Sequence, residues 1–320
     1  KGAFMVSGED IRRSDARRRL KRNLRKSVPL YFLIALPVVW YIIFCYVPMA
    51  GISIAFKDYN AYVGIWDSPW CEDPFYWFKV FWNTKGFWDA LRNTVVVGAV
   101  NTVVCFVVPV VLALMFNEMR AVMYKKTLQC VSYMPYFVST IALVSIFRVM
   151  FGMQDGVVNN LIAACGGDRI NFIDEPSCFI PIYVGLNIWK GAGWGTIIYT
   201  AAMAGIDMQL YEAADIEGAG RFAKIRFITL PSLAPTLVVM MILAVPGFLG
   251  GDFETVLLLQ TAGNRSVSEI LATYIYRFGI GESQQYEMTT AIGLCTSILN
   301  LLVIFGANEI ARRFSEYSLF

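Results

Sequence analysis

A carboxylate, two alanines and a glycine stand at fixed spacing in YEAADIEGAGRFAKIRFITLPSL, Tyr211 to Leu233. Glu212 is followed by Ala213 and Ala214, then Gly218, then Ile228, Leu230 and Pro231. These residue types suit docking rather than bond-making. Small alanines let a helix seat closely in another protein's groove, and a carboxylate at its edge pairs with a basic residue there. Three side chains inside apolar runs also invite a chemical reading: Lys190, Trp194 and Asn300. The rest of the reactive repertoire is thin. The chain has no histidine, which removes His-based triads, His metal sites and a His general base together. No Cys-x-x-Cys occurs, and the Gly-Lys pair of a phosphate-binding loop never appears. No catalytic residue, metal site or cofactor is therefore expected in this chain, and it shows no means of hydrolysing a nucleotide.

The elements that must position these residues are membrane helices. Of 320 residues, 57% are hydrophobic and 16% charged, where a soluble domain carries about a quarter charged. Val28–Phe56, Thr94–Asn117, Thr127–Phe147, Phe227–Gly251 and Met288–Asn308 contain no Asp, Glu, Lys or Arg, and Pro176–Ile206 contains only Lys190. A helix needs about 20 mostly apolar residues to cross a bilayer, so these are six candidate spans. The expected fold is all-α and polytopic, with about six transmembrane helices. The first run is too long for a typical signal peptide, lacks a clear cleavage site and is expected to be retained.

Arg12, Arg13, Arg17, Arg18, Arg19, Lys21, Arg22, Arg25 and Lys26 precede the first run and place the N-terminus in the cytoplasm. Six crossings return the C-terminus to that side, where Arg312 and Arg313 follow the last run. Next to a span, the basic arm reads as a topology signal and not as a nucleic-acid site. The expected organisation is a basic arm over 1–27, a first helix over 28–56, an aromatic-rich external loop over 57–90, a five-helix core over 91–311 and a cytoplasmic tail over 312–320. Pro48 and Gly51 mark the exit of the first span. The aromatics of 57–90 read first as a helix lying in the interface, and otherwise as a docking or sugar-stacking surface. Seven cysteines in no recognisable framework favour free thiols over a Cys165–Cys178 bridge.

An ionisable group at membrane depth is costly, so Lys190 either faces a pathway or snorkels while Gly191, Gly193 and Gly195 only pack. Trp194 either stacks on a sugar or packs. Asn300 either lines a path or bonds within the bundle. Pro246, Gly247, Gly250 and Gly251 imply a kink or break near the outer end of the fifth span.

The cytoplasmic loop over 207–230 reads as a helical hairpin. Asp207 caps a helix from Met208, on which Leu210, Ala213 and Ala214 share a face. Gly218 and Gly220 end it and allow a turn. A second short helix, Arg221 to Ile228, precedes the span that Pro231 starts. It is a connector, a lipid-lying helix or a docking element. Glu212, Asp215 and Glu217 oppose an anionic leaflet, which puts docking ahead of lipid.

The segment resembles the EAA motif of binding-protein-dependent ABC importer permeases, Glu-Ala-Ala-x3-Gly-x9-Ile-x-Leu-Pro. GFWDALRNTVV, with Phe87, Asn93 and Thr94, resembles the start of the permease core in the carbohydrate branch, which is maltose-permease-like. YVPMAGISIAFKDYN and GWGTIIYTAAMAGIDMQLYEAA continue the likeness to oligo- and polysaccharide permeases. The resemblance implies a type I importer fold, a second homologous permease, a cytoplasmic ATPase dimer that binds ATP and Mg, and an extracellular or periplasmic binding protein delivering a saccharide. It implies a multi-pass protein of the bacterial plasma membrane. It makes Glu212 the charged contact to the ATPase, Ala213 and Ala214 the close-packed face and Gly218 the turn. The alternatives are a stand-alone secondary transporter or membrane receptor using Lys190, and an ABC permease for a non-sugar cargo.

Overall fold

In lipid an uncharged run satisfies its backbone within a helix. The computed structural model, which describes residues 27, 28, 30–281 and 283–314, is built that way. Among the described residues there is no strand, only an isolated bridge between Lys57 and Trp70. The basic arm over residues 1–26 and the tail beyond residue 314 lie outside the described residues.

Among the described residues, four helical stretches are long and apolar enough to cross a membrane: Leu30–Phe56, Lys85–Asn117, Arg221–Leu249 and Tyr286–Glu309. They are the first, second, fifth and sixth spans. Pro48 and Gly51 lie inside the first span, where the helix narrows after a π-turn at Ile42–Tyr46; it exits at Lys57. The expected third span, Thr127–Phe147, is not one helix. Val122–Phe137 and Thr140–Met150 meet at a bend of 100°, which makes five crossings if the pair counts as one. The cause is local. Pro135 sits in a tight turn, Met134–Phe137, Val138 is extended, and the Ser139 hydroxyl caps the next helix by accepting from the Ala142 amide at 3.4 Å.

The fourth helix, Pro176–Ala204, has 29 residues, ample length for a crossing, but is not among the helices apolar enough to be assigned one on composition. Its packing explains this. It runs against the second span and touches the third pair and the fifth span. Ten of its residues are buried, so much of its surface never meets lipid and has no need to be apolar. Glycines let the backbones close. A Cβ at Gly193 would lie 1.9 Å from the Ser132 carbonyl oxygen, and one at Gly98 2.4 Å from that of Phe248.

Three apolar clusters hold the bundle. The largest joins Val97, Val144 and the N-terminal half of the fourth helix to Val256, Leu259 and Ile270. A second joins Ala55, Phe81, Phe87 and Ala90 to Leu271, Tyr274, Met288, Ala291 and Ile292. The aromatic loop is therefore partly core: Phe81 and Phe87 are buried, while Tyr62, Trp66 and Trp70 remain exposed. The third cluster is small: Val110, Ala113, Tyr199, Met203 and Leu233. The fifth span turns at Val245 and Pro246 into a short helix, Gly247–Gly250, that ends at Gly251, whose φ of +57° suits glycine, and Asp252 caps the next helix, Phe253–Leu259. The seven cysteines are all free thiols.

Candidate functional site

Asp207 begins the hairpin. Its carboxylate accepts from the Gln209 amide at 2.9 Å and starts the helix Met208–Ile216. Gly218, at φ +74°, ends it. The Ala219 amide donates to the Ala214 carbonyl at 2.8 Å and the Gly218 amide to that of Asp215 at 3.1 Å, a paired closure that needs the left-handed glycine. Two side-chain contacts then clamp the arms together. Lys224 pairs with Asp215, and the hydroxyls of Tyr211 and buried Thr229 are 2.9 Å apart.

The second arm differs from expectation. Arg221–Lys224 does not stop before a span that Pro231 starts; it continues through a π-turn, Ile225–Thr229, into the fifth span. Pro231 cannot donate to the carbonyl four residues back, and a widened turn accommodates that gap. The Leu230 amide donates to the Ile225 carbonyl instead. The second arm and the fifth span are thus one helical run from Arg221 to Ala244, followed by a turn at Val245 and Pro246 and the short helix Gly247–Gly250.

Glu212, Ala213 and Gly218 are exposed, Ala214, Ile228 and Leu230 half-buried, and Pro231 exposed. Glu212 engages no other described side chain. Around it lie exposed apolar groups: Met208, Leu210, Ile216 and Phe222, the last two each 88% exposed. The hairpin is a formed element, clamped from within, whose outer surface the other described residues leave uncovered.

Lys190 and Trp194 share a face of the fourth helix, four residues apart. The bend of the third pair comes to them. The Lys190 ammonium donates to the hydroxyl of buried Thr140 at 2.8 Å. Trp194 stacks on Tyr136 with ring centroids 4.6 Å apart and meets Phe137 edge-on at 5.6 Å. One face of the Trp194 ring is therefore packed, yet the side chain stays 41% exposed. One turn earlier Asn187 donates to Asn101 of the second span at 3.0 Å. The stripe Asn187–Lys190–Trp194 is a polar and aromatic line through an apolar bundle. Asn300 is not part of it. It sits on the sixth span, its buried carbonyl oxygen without a hydrogen-bond partner.

Sequence reasoning missed Tyr136, Phe137 and Thr140, although Pro135 was the available signal for the break. It also missed Asn264, a buried hub that donates to the Ile173 and Leu259 carbonyls. Asn93 and Thr94 anchor residues 266–271 to the second span. Asn93 donates to the Ser266 carbonyl at 2.9 Å, and the Thr94 hydroxyl accepts from the Leu271 amide at 2.8 Å.

Residues 105–316 match the family model described as binding-protein-dependent transport system inner membrane component. The chain is 41% identical to protein LplB of Bacillus subtilis (strain 168), over 93% of this chain and 92% of that one. It is 38% identical to the polygalacturonan/rhamnogalacturonan transport system permease protein YteP of the same organism, over 97% and 96%. Among solved structures, it is similar to a chain of a bacterial ABC transporter involved in import of the acidic polysaccharide alginate. The TM-score is 0.85 at 33% identity, covering 92% of this chain and 99% of that one. A chain of a bacterial alginate ABC transporter in complex with an alginate pentasaccharide-bound periplasmic protein gives 0.85 at 32%, covering 94% of this chain and 100% of that one. With the family model spanning most of the chain and long relatives on both counts, this protein belongs to the inner membrane components of binding-protein-dependent transport systems.

Proposed function

We propose that this chain is one permease subunit of an ATP-driven importer for an acidic oligosaccharide, with both termini in the cytoplasm. A binding protein delivers the cargo from outside. A second, homologous permease completes the path, and a cytoplasmic ATPase dimer supplies the energy, with ATP and Mg bound on that partner. The relatives named for polygalacturonan/rhamnogalacturonan and for acidic alginate support the cargo class. Lys190 is the cation suited to a sugar carboxylate, Trp194 the ring suited to a sugar face. Asn300 is a weaker candidate, supported by its unpaired oxygen. Nothing favours a stand-alone transporter or receptor.

The observation that carries the coupling role is the hairpin: rigid, continuous with a span, and bare on its outer surface around Glu212. A neighbouring protein covers such a surface best. Glu212→Ala removes the charge, and Gly218→Asp puts a side chain where φ is +74°. Both variants are expected to insert in the membrane, yet to lose uptake and ATPase stimulation. Normal uptake in both would remove the coupling role.

A further inference from the structure

The fourth helix has a second face, opposite the Lys190–Trp194 stripe, and it borders an open cavity of about 1010 Å³. The walls are almost wholly apolar. Val111 and Met115 come from the second span, Leu128 and Val131 from the Val122–Phe137 helix, Trp189 from the fourth helix and Phe222 from the hairpin. Charge gathers at one end only. Arg221 lines the cavity where the hairpin closes it, as does Glu118 at the foot of the second span. Lys125 stands three residues before Leu128, so it continues the same helix face one turn toward that end. None of these three charged side chains makes an ion pair or hydrogen bond among the described residues. The charged end of the apolar slot is thus lined by Arg221 and Glu118, with Lys125 one helical turn beyond the lining, a net positive charge.

Bulk acyl chains wet any lipid-facing surface, but a cationic mouth on an apolar slot selects by headgroup. Basic pockets between helices at the cytoplasmic level recognise anionic lipid headgroups in this way. We infer that the slot holds one anionic phospholipid of the inner leaflet, its phosphate between Arg221 and Lys125 and an acyl chain along Val131, Met115 and Trp189. The leaflet follows from the cytoplasmic placement of the hairpin proposed above; the lipid class follows from Arg221 in the lining and Lys125 one turn beyond it. A lipid seated there touches both the hairpin and the second span, so it braces the hairpin at its root.

The test uses the purified transporter complex, stripped of lipid, in native mass spectrometry with added dioleoylphosphatidylglycerol or dioleoylphosphatidylcholine. Phosphatidylglycerol is expected to be retained about tenfold better, and the double variant Arg221→Gln with Lys125→Gln to abolish the preference. Equal retention of the two lipids by the unaltered complex, or an intact preference in the double variant, overturns the site. Should the double variant fail to assemble, a photoreactive benzoylphenylalanine in place of Val131 decides. A lipid adduct upholds the proposal, and an adduct to another subunit shows that the slot is a protein interface instead.

Discussion

Lys190 is the one charge in a 31-residue run, and its environment answers it only in part. The ammonium has three hydrogens to donate, and its one side-chain partner among the described residues is the Thr140 hydroxyl at 2.8 Å. A half-buried ammonium with donors to spare favours an anionic visitor. Lys190→Gln keeps a hydrogen-bonding group but drops the charge. A hydrogen bond to a charged group contributes about 1.5–3 kcal/mol, so uptake of an acidic oligosaccharide should show an apparent KM raised by roughly tenfold or more. Uptake of a neutral oligosaccharide of equal length is the control, and an equal loss for both would deny Lys190 a charge-reading role. Lys190 and Trp194 were legible because a charge and a large ring interrupt an apolar run. Their partners Tyr136, Phe137 and Thr140 were not. Hydropathy reads Thr127–Phe147 as one greasy stretch, and the fold of the chain at Pro135 and Ser139 decides which side chains meet Lys190.

At the scale of the element, the hairpin was legible in its ends and illegible in its joint. Asp207 and Gly218 act through their own backbone conformations, which residue type largely fixes. The π-turn at Ile225–Thr229 depends on how Pro231 is absorbed, and two solutions exist: start the helix at proline, or widen the turn before it. The second occurs here because Thr229 is buried and tied to Tyr211, holding the turn against the first arm. Tyr211→Phe removes that tie without touching the exposed surface. The loss is about 0.5–1.5 kcal/mol of local stability. Hydrogen exchange should quicken over Arg221–Thr229, while the helix Met208–Ile216, capped by Asp207, keeps most of its protection. Unchanged exchange in both arms would show that the hydroxyl pair does not brace the turn.

For the whole molecule, the two ends of the bundle are held unequally. The end away from the hairpin is knit by two large apolar clusters and by Asn93, Thr94 and Asn264, each bonded across elements. The hairpin end has a cluster of five buried apolar residues shared by the second span, the fourth helix and the fifth span. Local opening is easiest where few apolar contacts oppose it, so displacement of the hairpin meets least resistance at its own end. On the coupling role proposed above, the displacement travels along the helical run Arg221–Ala244, which leads through a turn at Val245 and Pro246 to the stretch where Gly98 lies against the Gly247 and Phe248 carbonyls. A rod transmits motion only if its joint is stiff, and the π-turn is the joint. Replacing Ile228 and exposed Phe227 by glycine softens it by about 1 kcal/mol per residue while leaving Glu212, Ala213, Ala214 and Gly218 in place. The ATPase should still co-purify with this variant and still hydrolyse ATP, but sugar moved per ATP should fall several-fold in proteoliposomes. If sugar moved per ATP stays normal, the fifth span is not the lever, and motion must pass instead through the root of the hairpin at Ala204 and the fourth helix.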